Sequence, residues 1–301
     1  MARPGVLASV IAVLLILVGG CGPSGPSHQG GTVDTGLDLR VWVRPSGSDA
    51  TWTSLPSTPG PVTVATGQEL SLQAIYQYGF GDADLGQLAT DFAGLYLTRL
   101  DLSGTDVTDV GLAHVAGLTH LMALELGGTG VTDAGLAQLA GLTNLTELRL
   151  GGTGVTDAGL AHLEGLTNLA SLNLWGIAVT DAGLVHLESL TNLRWLSLGW
   201  CTGVGDAGLA HLEGLTNLAN LELESTGVTD AGLGHIAGLT RLTTLDLSWC
   251  TGVHDAGLVH LEGLASLAQL DLHETRVTGA GAAALQGKLP HCVVSYGPLD
   301  G

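Results

Sequence analysis

The sequence predicts an α/β solenoid, in which a short strand and a short helix repeat along the chain. A segment of the type seen at Leu145–Asn168 recurs, lightly edited, from Leu97 to the C-terminus. The copies start at intervals of 24 residues, stretched twice to 25, at Leu97, Leu121, Leu145, Leu169, Leu193, Leu218, Leu242 and Leu267. A fixed period of this length indicates stacked repeats, because one unit cannot bury its own apolar face.

Each unit is predicted to contain one strand and one helix. The LxxLxL pattern at 145–150 is typical of a short strand with one buried face. Asp157 occupies the position of a helix N-cap, where a carboxylate accepts hydrogen bonds from free backbone N–H groups. An apolar stripe then predicts a short helix: Leu160, Leu163 and Leu166. Each buried leucine contributes about 2 kcal/mol and each ordered residue costs about 1–2 kcal/mol, so only a stack of units is stable.

These units resemble bacterial leucine-rich repeats of the pattern LxxLxLxxTxVTDAGLxxLxxL, over about two-thirds of the chain. The resemblance implies a right-handed solenoid with a parallel β-sheet on the concave side and short helices on the convex side. Two units, at Trp200–Leu212 and Trp249–Leu261, resemble the cysteine-containing subclass that also occurs in F-box substrate receptors of ubiquitin ligases. No F-box-like helical segment precedes the repeats, so a substrate-adaptor function is the less favoured reading.

Residues 1–20 are predicted to be a signal peptide. Arg3 precedes a short apolar run, Val6–Val18, which is too brief to span a bilayer stably. The sequence Val-Gly-Gly-Cys ending at Cys21 resembles the lipobox of bacterial lipoproteins, in which the cysteine is lipidated and becomes the mature N-terminus. By that resemblance, Gly22 favours the outer membrane. Cleavage as an ordinary secretory signal is the alternative.

The rest of the chain divides into four segments. Residues 21–36 follow as a Gly-, Pro- and Ser-rich tether that begins at the lipidated cysteine. Residues 37–96 are predicted to form a β-rich N-terminal cap and a degenerate first repeat; a small Ig-like strand pair with its own binding role is the alternative. Residues 97–284 form the solenoid of eight repeats. Residues 285–301 form a C-terminal cap, which resembles the closing LPxCxV segment of such bacterial proteins.

The concave face carries the candidate binding site. Side chains alternate along each strand, so the non-leucine positions point to this face. Trp175 and Trp195 lie on adjacent strands, where exposed indoles have no structural function, and a carboxylate cluster lies beside them. Aromatic anchors next to a charged rim are typical of a protein-binding surface. The predicted protein-binding residues are Arg149, Asn173, Trp175, Trp195, Glu222, Glu224, Asp246, Asp271 and His273.

Two alternatives stay open at this face. It is either a binding surface or a merely solvated sheet with incidental aromatic residues. Trp200 and Trp249, each followed by a cysteine, either extend the surface or pack over the wider 25-residue turns.

Other repeated polar columns are predicted to be structural. The aspartates that open the helices are expected to cap them rather than bind calcium. Cys201 and Cys250 replace threonines of other units and are expected to satisfy backbone groups of the adjacent coil. A histidine column with nearby glutamates could bind a divalent metal. The histidine column follows from duplication of the repeat, however, and a glutamate two residues after a histidine on a helix does not face it. No metal site is therefore predicted. The column comprises His114, His162, His186, His211, His235 and His260.

The net charge and the lack of catalytic motifs limit the classes of function open to this chain. A formal net charge of −19 argues against nucleic acid as a partner and suits a soluble protein or one with a basic partner. No catalytic motif is present: His273 beside Asp271 is the only acid–base arrangement, on an open sheet edge without a pocket. We therefore expect a monomeric, non-enzymatic interaction scaffold without cofactors, secreted and lipid-anchored to the bacterial cell envelope, which binds a protein or peptide. The membrane is contacted only through the anchor. A structural envelope spacer without a specific ligand is the alternative.

Overall fold

The computed structural model describes residues 31–33, 39–45, 53–54, 62–64, 68–74, 80–91 and 96–297. The predicted signal peptide, Cys21 and most of the predicted tether lie outside these residues. Within the described ranges, no helix combines the length and the apolar character that crossing a membrane requires.

One sheet of twelve strands runs along the molecule, in the order β14-β13-β12-β11-β10-β9-β8-β7-β6-β5-β2-β3. Strands β5 to β14 are parallel to their neighbours, whereas β2 pairs antiparallel with β5 and β3. The strands are β2 Leu39–Pro45, β3 Thr53–Ser54, β5 Gln68–Ala74, β6 Leu97–Asp101, β7 Ala123–Glu125, β8 Glu147–Arg149, β9 Ser171–Asn173, β10 Trp195–Ser197, β11 Asn220–Glu222, β12 Thr244–Asp246, β13 Gln269–His273 and β14 Val293–Gly297. A separate antiparallel pair joins β1 Gly31–Val33 and β4 Val62–Val64.

Short helices return the chain from each strand to the next. The α-helices are α1 Asp82–Asp91, α2 Asp109–Val115, α3 Asp133–Leu136, α4 Asp157–Leu160, α5 Asp181–Leu184, α6 Asp206–Ala210, α7 Leu233–Ile236 and α8 Gly279–Lys288. Three of them continue as 3₁₀ turns, Ala137–Leu139, Ala161–Leu163 and Val185–Leu187, and Gly257–Leu261 is a 3₁₀ helix by itself. The predicted apolar spacing of three matches the three residues per turn of a 3₁₀ helix, which explains why the α-helical part is so short.

The repeated leucines form one continuous core between the sheet and the helices. In the central unit, the strand leucines and the helix leucines are fully buried: Leu145, Leu148, Leu150, Leu160, Leu163 and Leu166. The same hydrophobic cluster extends from Val43 in β2 to Cys292 beside β14. The predicted α/β solenoid with shared leucine columns is therefore confirmed.

Both ends of this core are covered by strands. β2 lies against β5 through seven residue pairs, and β5 with α1 forms a coil that stacks on β6. At the other end, β14 extends the parallel sheet beyond β13. β2, β3, β5 and α1 fall within residues 37–96 and β14 within residues 285–301, whereas β1 lies inside the predicted tether and α8 crosses residue 284.

The prediction that the repeated aspartates cap their own helices was wrong. The N-cap of α4 is Thr156, and Asp157 is the first helical residue. Its carboxylate crosses to the next coil, where Oδ1 accepts from the Thr180 N–H at 2.7 Å and Oδ2 from the Thr180 hydroxyl at 2.6 Å. The neighbouring coil is about 4.8 Å away, so its N–H groups are within reach of a short carboxylate. The same pair of bonds joins Asp82–Thr108, Asp109–Thr132, Asp133–Thr156, Asp206–Thr229 and Asp255–Thr278.

The glycine of the Asp-Ala-Gly motif makes room for this link. A Cβ built on Gly183 collides with the Asp157 carboxylate of the preceding coil, and a Cβ on Gly159 collides in the same way with Asp133. The carboxylate is held by two hydrogen bonds, so it cannot move aside without breaking them. Asp, Thr and Gly thus form one contact between consecutive coils, called here the inter-coil clasp.

We expect Asp157→Ala to lower the free energy of unfolding by about 1–2 kcal/mol, because two hydrogen bonds to a charged acceptor are lost. Urea denaturation measures this value. Glu164→Ala is the matched control: it removes the same charge from an exposed residue that contacts only a surface histidine across coils, and should cost less than about 0.5 kcal/mol. Equal losses in the two variants would contradict the clasp.

Candidate functional site

The sheet face opposite the leucine core carries the predicted site residues in register. Trp195 lies between Ser171 and Asn220 in one column. Ser197 lies between Asn173 and Glu222 in the next column. The columns read from the sequence are therefore present as predicted. Their side chains make two distinct groups, one at each half of the sheet.

The N-terminal half is an ion network in which acids and arginines pair. Arg149 Nη2 lies 2.8 Å from Glu147 Oε1, and Arg99 Nη2 lies 3.1 Å from Glu147 Oε2. Glu125 is farther, at 3.9 Å from Arg149 and 4.0 Å from Arg99. Desolvation raises the pKa of Glu147, but the hydrogen bond from Arg149 and the charges of both arginines bring it below its usual value. For Glu125, desolvation and the neighbouring Asp101 raise the pKa.

The sequence suggested that Trp195 forms an exposed pair with Trp175. In the structure, Trp195 belongs instead to this ion network. The Arg149 guanidinium lies 6.0 Å from the centroid of its ring, a cation–π distance. Its indole N–H donates to Glu222 Oε1 at 3.2 Å, and the side chain is half-buried. Trp195 lies within its strand, whereas Trp175 lies two residues beyond the end of β9. Adjacent strands therefore do not place the two rings face to face.

Trp175 pairs instead with Trp200. Their ring centroids are 6.3 Å apart with an angle of 56° between the planes. Trp175, Trp200 and Trp249 are 45%, 55% and 46% exposed, which makes them the tryptophans that solvent reaches most among the described residues. About half of the surface of Trp200 and of Trp249 is thus open to solvent at the ends of their strands. We call these three residues the tryptophan patch.

Two residues of the tryptophan patch have strained backbones. Trp200 and Trp249 adopt left-handed conformations, with φ of 61° and 63°. Four other units place glycine at the same position, with φ between 66° and 69°: Gly104, Gly128, Gly152 and Gly176. A left-handed conformation costs a residue with a side chain roughly 1–2 kcal/mol. Ser225 and Glu274 occupy the same position in the remaining two units, with φ of 56° and 57°, so all four C-terminal units carry this strain. At two of them the residue is an exposed tryptophan, and such strain clusters at functional sites.

The C-terminal half of the face carries four carboxylates, and the basic partner that they have among the described residues is His273, beside Asp271. Of the ion pairs that join described residues, none brings Lys or Arg to Glu222, Glu224, Asp246 or Asp271. Glu224 extends over Gly199, where any Cβ collides with its carboxylate. Burial raises the pKa of Glu224, and the charges of Asp246 and Glu222 raise it further. Two side-chain oxygens here are buried without a hydrogen-bond partner: Glu224 Oε2 and Ser197 Oγ.

Three predicted site residues have a local structural role. The Asn173 side chain accepts from the Trp175 N–H at 2.8 Å, and Asp246 accepts from the Ser248 N–H at 2.8 Å. Asp271 Oδ1 accepts from the His273 N–H at 2.9 Å and contacts His273 Nδ1 at 2.6 Å. These bonds hold the turn that leaves each strand. They position the tryptophan patch and the acidic group without excluding contact with a partner.

Sequence reasoning missed a cavity where the cap meets the first repeats. It encloses about 280 Å³ and is lined by Trp42, Ser71, Leu72, Arg99, Leu100, Asp101, Ala123 and Glu125. Trp42 belongs to β2, and the pairing of β2 with β5 brings it near β6 and β7. No sequence signal links residue 42 to residue 125. The polar groups of the cavity belong to the N-terminal ion network.

The histidine and cysteine columns lie away from the sheet face. Three of the six histidines pair with a glutamate of the preceding coil at 2.6 Å: His186 with Glu164, His211 with Glu188 and His235 with Glu213. Among the described residues no three His, Cys, Asp or Glu side chains form a group that could hold a metal ion. Cys201 and Cys250 are buried and donate to carbonyls of the preceding coil at 3.1 Å, as predicted. Burial raises the pKa of Cys201 to about 11, so it remains a thiol.

Comparison with known proteins identifies the class of the fold. The family described as "Leucine Rich repeat" matches residues 95–116, 117–140, 141–163 and 239–261. An internalin C2 from Listeria monocytogenes is 27% identical with a TM-score of 0.52, over 71% of this chain and 83% of that chain. The molecule is thus a leucine-rich repeat solenoid, the fold of protein-interaction scaffolds. No curated protein matches its sequence.

Two further solved structures are more distant. An internalin, inlF, from Listeria monocytogenes is 20% identical with a TM-score of 0.44, over 77% of this chain and 82% of that chain. The plant peptide hormone receptor RGFR1, solved in complex with RGF2, is 18% identical with a TM-score of 0.49. That match covers 67% of this chain and 32% of the receptor chain.

We expect Trp200→Gly to leave the free energy of unfolding within about 1 kcal/mol of the wild-type value, because glycine relieves the left-handed strain while an exposed ring is lost. Leu198→Ala, which changes a fully buried residue of the same turn, should lower it by about 2–5 kcal/mol. Urea denaturation compares the two variants. A loss for Trp200→Gly as large as that for Leu198→Ala would show that the indole is a packing residue.

Proposed function

We propose that this chain is a non-enzymatic scaffold that binds a protein or peptide of basic character on its sheet face. The observation that carries the proposal is the tryptophan patch, half exposed and partly strained, beside carboxylates that no Lys or Arg of the described chain approaches. Exposed aromatic anchors next to a charged rim supply both binding area and selectivity. The chain is further proposed to act as a secreted monomer at the bacterial cell envelope, anchored by lipid on Cys21.

The electrostatic asymmetry of the face supports a basic partner. In the N-terminal half, two arginines compensate Glu125 and Glu147, whereas the C-terminal half holds four carboxylates that no Lys or Arg of the described chain approaches. With a net charge of −19, the whole molecule attracts cationic partners and repels anionic surfaces. A spacer would need neither the patch nor this asymmetry.

We expect the double variant Trp175→Ala/Trp195→Ala to lose a partner that the wild type captures, because an anchor indole is removed from each half of the face. The measurement is crosslinking in cells of the source organism followed by mass spectrometry. Val259→Ala, which changes an exposed apolar residue on the helix side, is the matched control and should retain the partner.

A protein that is captured by the wild type and by Val259→Ala, and lost by the double variant, supports the sheet face as the binding surface. Retention of every specific partner by the double variant contradicts it and favours a spacer. Both variants should unfold at temperatures close to that of the wild type, which separates loss of binding from loss of fold.

We expect Cys21 to incorporate labelled palmitate in the cell, and processing to be sensitive to globomycin, because both follow from the lipobox resemblance at residues 18–21. Cys21→Ala should abolish labelling and release the protein from the membrane fraction. A wild-type protein that is cleaved and secreted without label would rule out the lipid anchor while leaving the sheet-face proposal intact.

A further inference from the structure

The sheet face contains one tryptophan–carboxylate site that is already filled by an arginine of the chain itself. The Arg149 guanidinium lies 6.0 Å from the Trp195 ring centroid and donates to Glu147 through both Nε and Nη2, at 3.0 and 2.8 Å. Glu125 lies 3.9 Å away on the other side. This arrangement satisfies the cation through ring stacking, hydrogen bonds and charge at once.

A second site of the same composition lies at the end of strands β9 to β11 and lacks the cation. Trp175 and Trp200 form an angled pair there. The indole of Trp175 lowers the pKa of the Glu224 carboxyl, against the larger effect of burial. Gly199 leaves the space that the carboxylate fills. No Lys or Arg in the described part of the chain reaches Glu224.

Two unsatisfied oxygens mark this second site. Glu224 Oε2 is buried without a hydrogen-bond partner, and so is the hydroxyl of Ser197, which is only 1% exposed. Ser197 lies two residues before Gly199, so both residues face the same side of the sheet, and Glu224 covers Gly199. Leaving a buried acceptor without a donor is costly, and native structures rarely do so without a functional reason. Each of these oxygens can accept a hydrogen bond from a donor group.

We propose that the site formed by Trp175, Trp200 and Glu224 binds the guanidinium of an arginine side chain from the partner protein. A guanidinium is planar, stacks on indole rings and presents several N–H donors in one plane, whereas an ammonium is a compact and strongly hydrated charge. The partner's arginine thus repeats what Arg149 does at the first site. This inference rests on the proposed function and specifies which residue of the partner the tryptophan patch recognises.

Entry requires neighbouring side chains to move, since both unsatisfied oxygens are buried. Trp175 and Trp200 are about half exposed, so their rings can rotate into solvent without disturbing the leucine core. Glu222 and Asp246 are the charged groups nearest to Glu224 and both are acidic, so they favour the cation as well.

The test is an NMR titration of the protein with three capped tripeptides, acetyl-Gly-X-Gly-amide, in which X is arginine, citrulline or lysine. The indole N–H signals of Trp175 and Trp200, assigned through Trp→Phe variants, report on binding. The arginine peptide is expected to shift both signals and to bind at least tenfold more tightly than the citrulline peptide, which has the same shape without the charge. Equal binding of arginine and citrulline peptides, or of arginine and lysine peptides, overturns the assignment.

Two variants test whether the Glu224 carboxylate is the charge that binds the arginine. Glu224→Gln should weaken binding of the arginine peptide at least tenfold, whereas Glu164→Gln, with the same change in net charge on the helix side, should weaken it less than twofold. Burial raises the pKa of Glu224, so its ionisation costs the folded state stability as the pH rises through that pKa. Glu224→Gln should therefore unfold at the same or a higher temperature, which confirms that lost binding is not lost folding. Equal weakening by the two variants overturns the site.

The outcomes separate this inference from the proposed function. If Trp175→Ala/Trp195→Ala loses a captured partner but the tripeptides bind without discrimination, the face binds protein and the arginine assignment fails alone. If the double variant keeps every partner and no tripeptide shifts the indole signals, both proposals fail.

Discussion

The spacing of about 4.8 Å between consecutive coils is the constraint on which this structure depends. A single unit has a strand too short and a helix too short to enclose its leucines, and only the next coil completes the enclosure. The inter-coil clasp uses the same distance: Asp157 reaches Thr180 in the following coil, and Gly183 is a glycine because that carboxylate occupies the space beside it. Buried leucines supply the stability, while the clasp fixes the register that lets them stack.

The same spacing turns each sequence position into a column on the sheet face, and the chemistry of the face lies in how the columns vary. Arginines and glutamates neutralise one another between β6 and β8, so that half is saturated by its own contacts. From β10 onward the arginines of the sheet face end while the carboxylates continue, and the glycine at the left-handed position gives way to Trp200, Ser225, Trp249 and Glu274. A uniform scaffold thereby carries a polarised surface, because the leucines and the clasp leave these positions free to change.

The sequence was sufficient for the features that one unit specifies and insufficient for those that two coils make together. The strand, the buried stripe and the columns all follow from spacing within a unit, and the structure confirms them. The aspartate was expected to act on its own helix, because the period of 24 residues does not tell which coil a side chain reaches. Likewise, Trp195 lies within β10 and its ring meets Arg149, whereas Trp175 lies beyond the end of the adjacent strand β9 and its ring meets Trp200. The cavity beside Trp42 depends on antiparallel pairing of the cap, which has no counterpart in the repeats.

The strongest argument for a ligand comes from residues that make the fold worse. Glycine at position 200 would satisfy the backbone without strain, as it does in four sister units, although Ser225 and Glu274 share the left-handed conformation in two others. A carboxylate with a buried, unpaired oxygen and two acidic neighbours also disfavours the folded state at neutral pH, and a glutamine would remove that repulsion. Trp200 and Glu224 lie in adjacent coils, and neither choice benefits the fold. A cation that stacks on the rings and donates to the carboxylate turns both into favourable contacts.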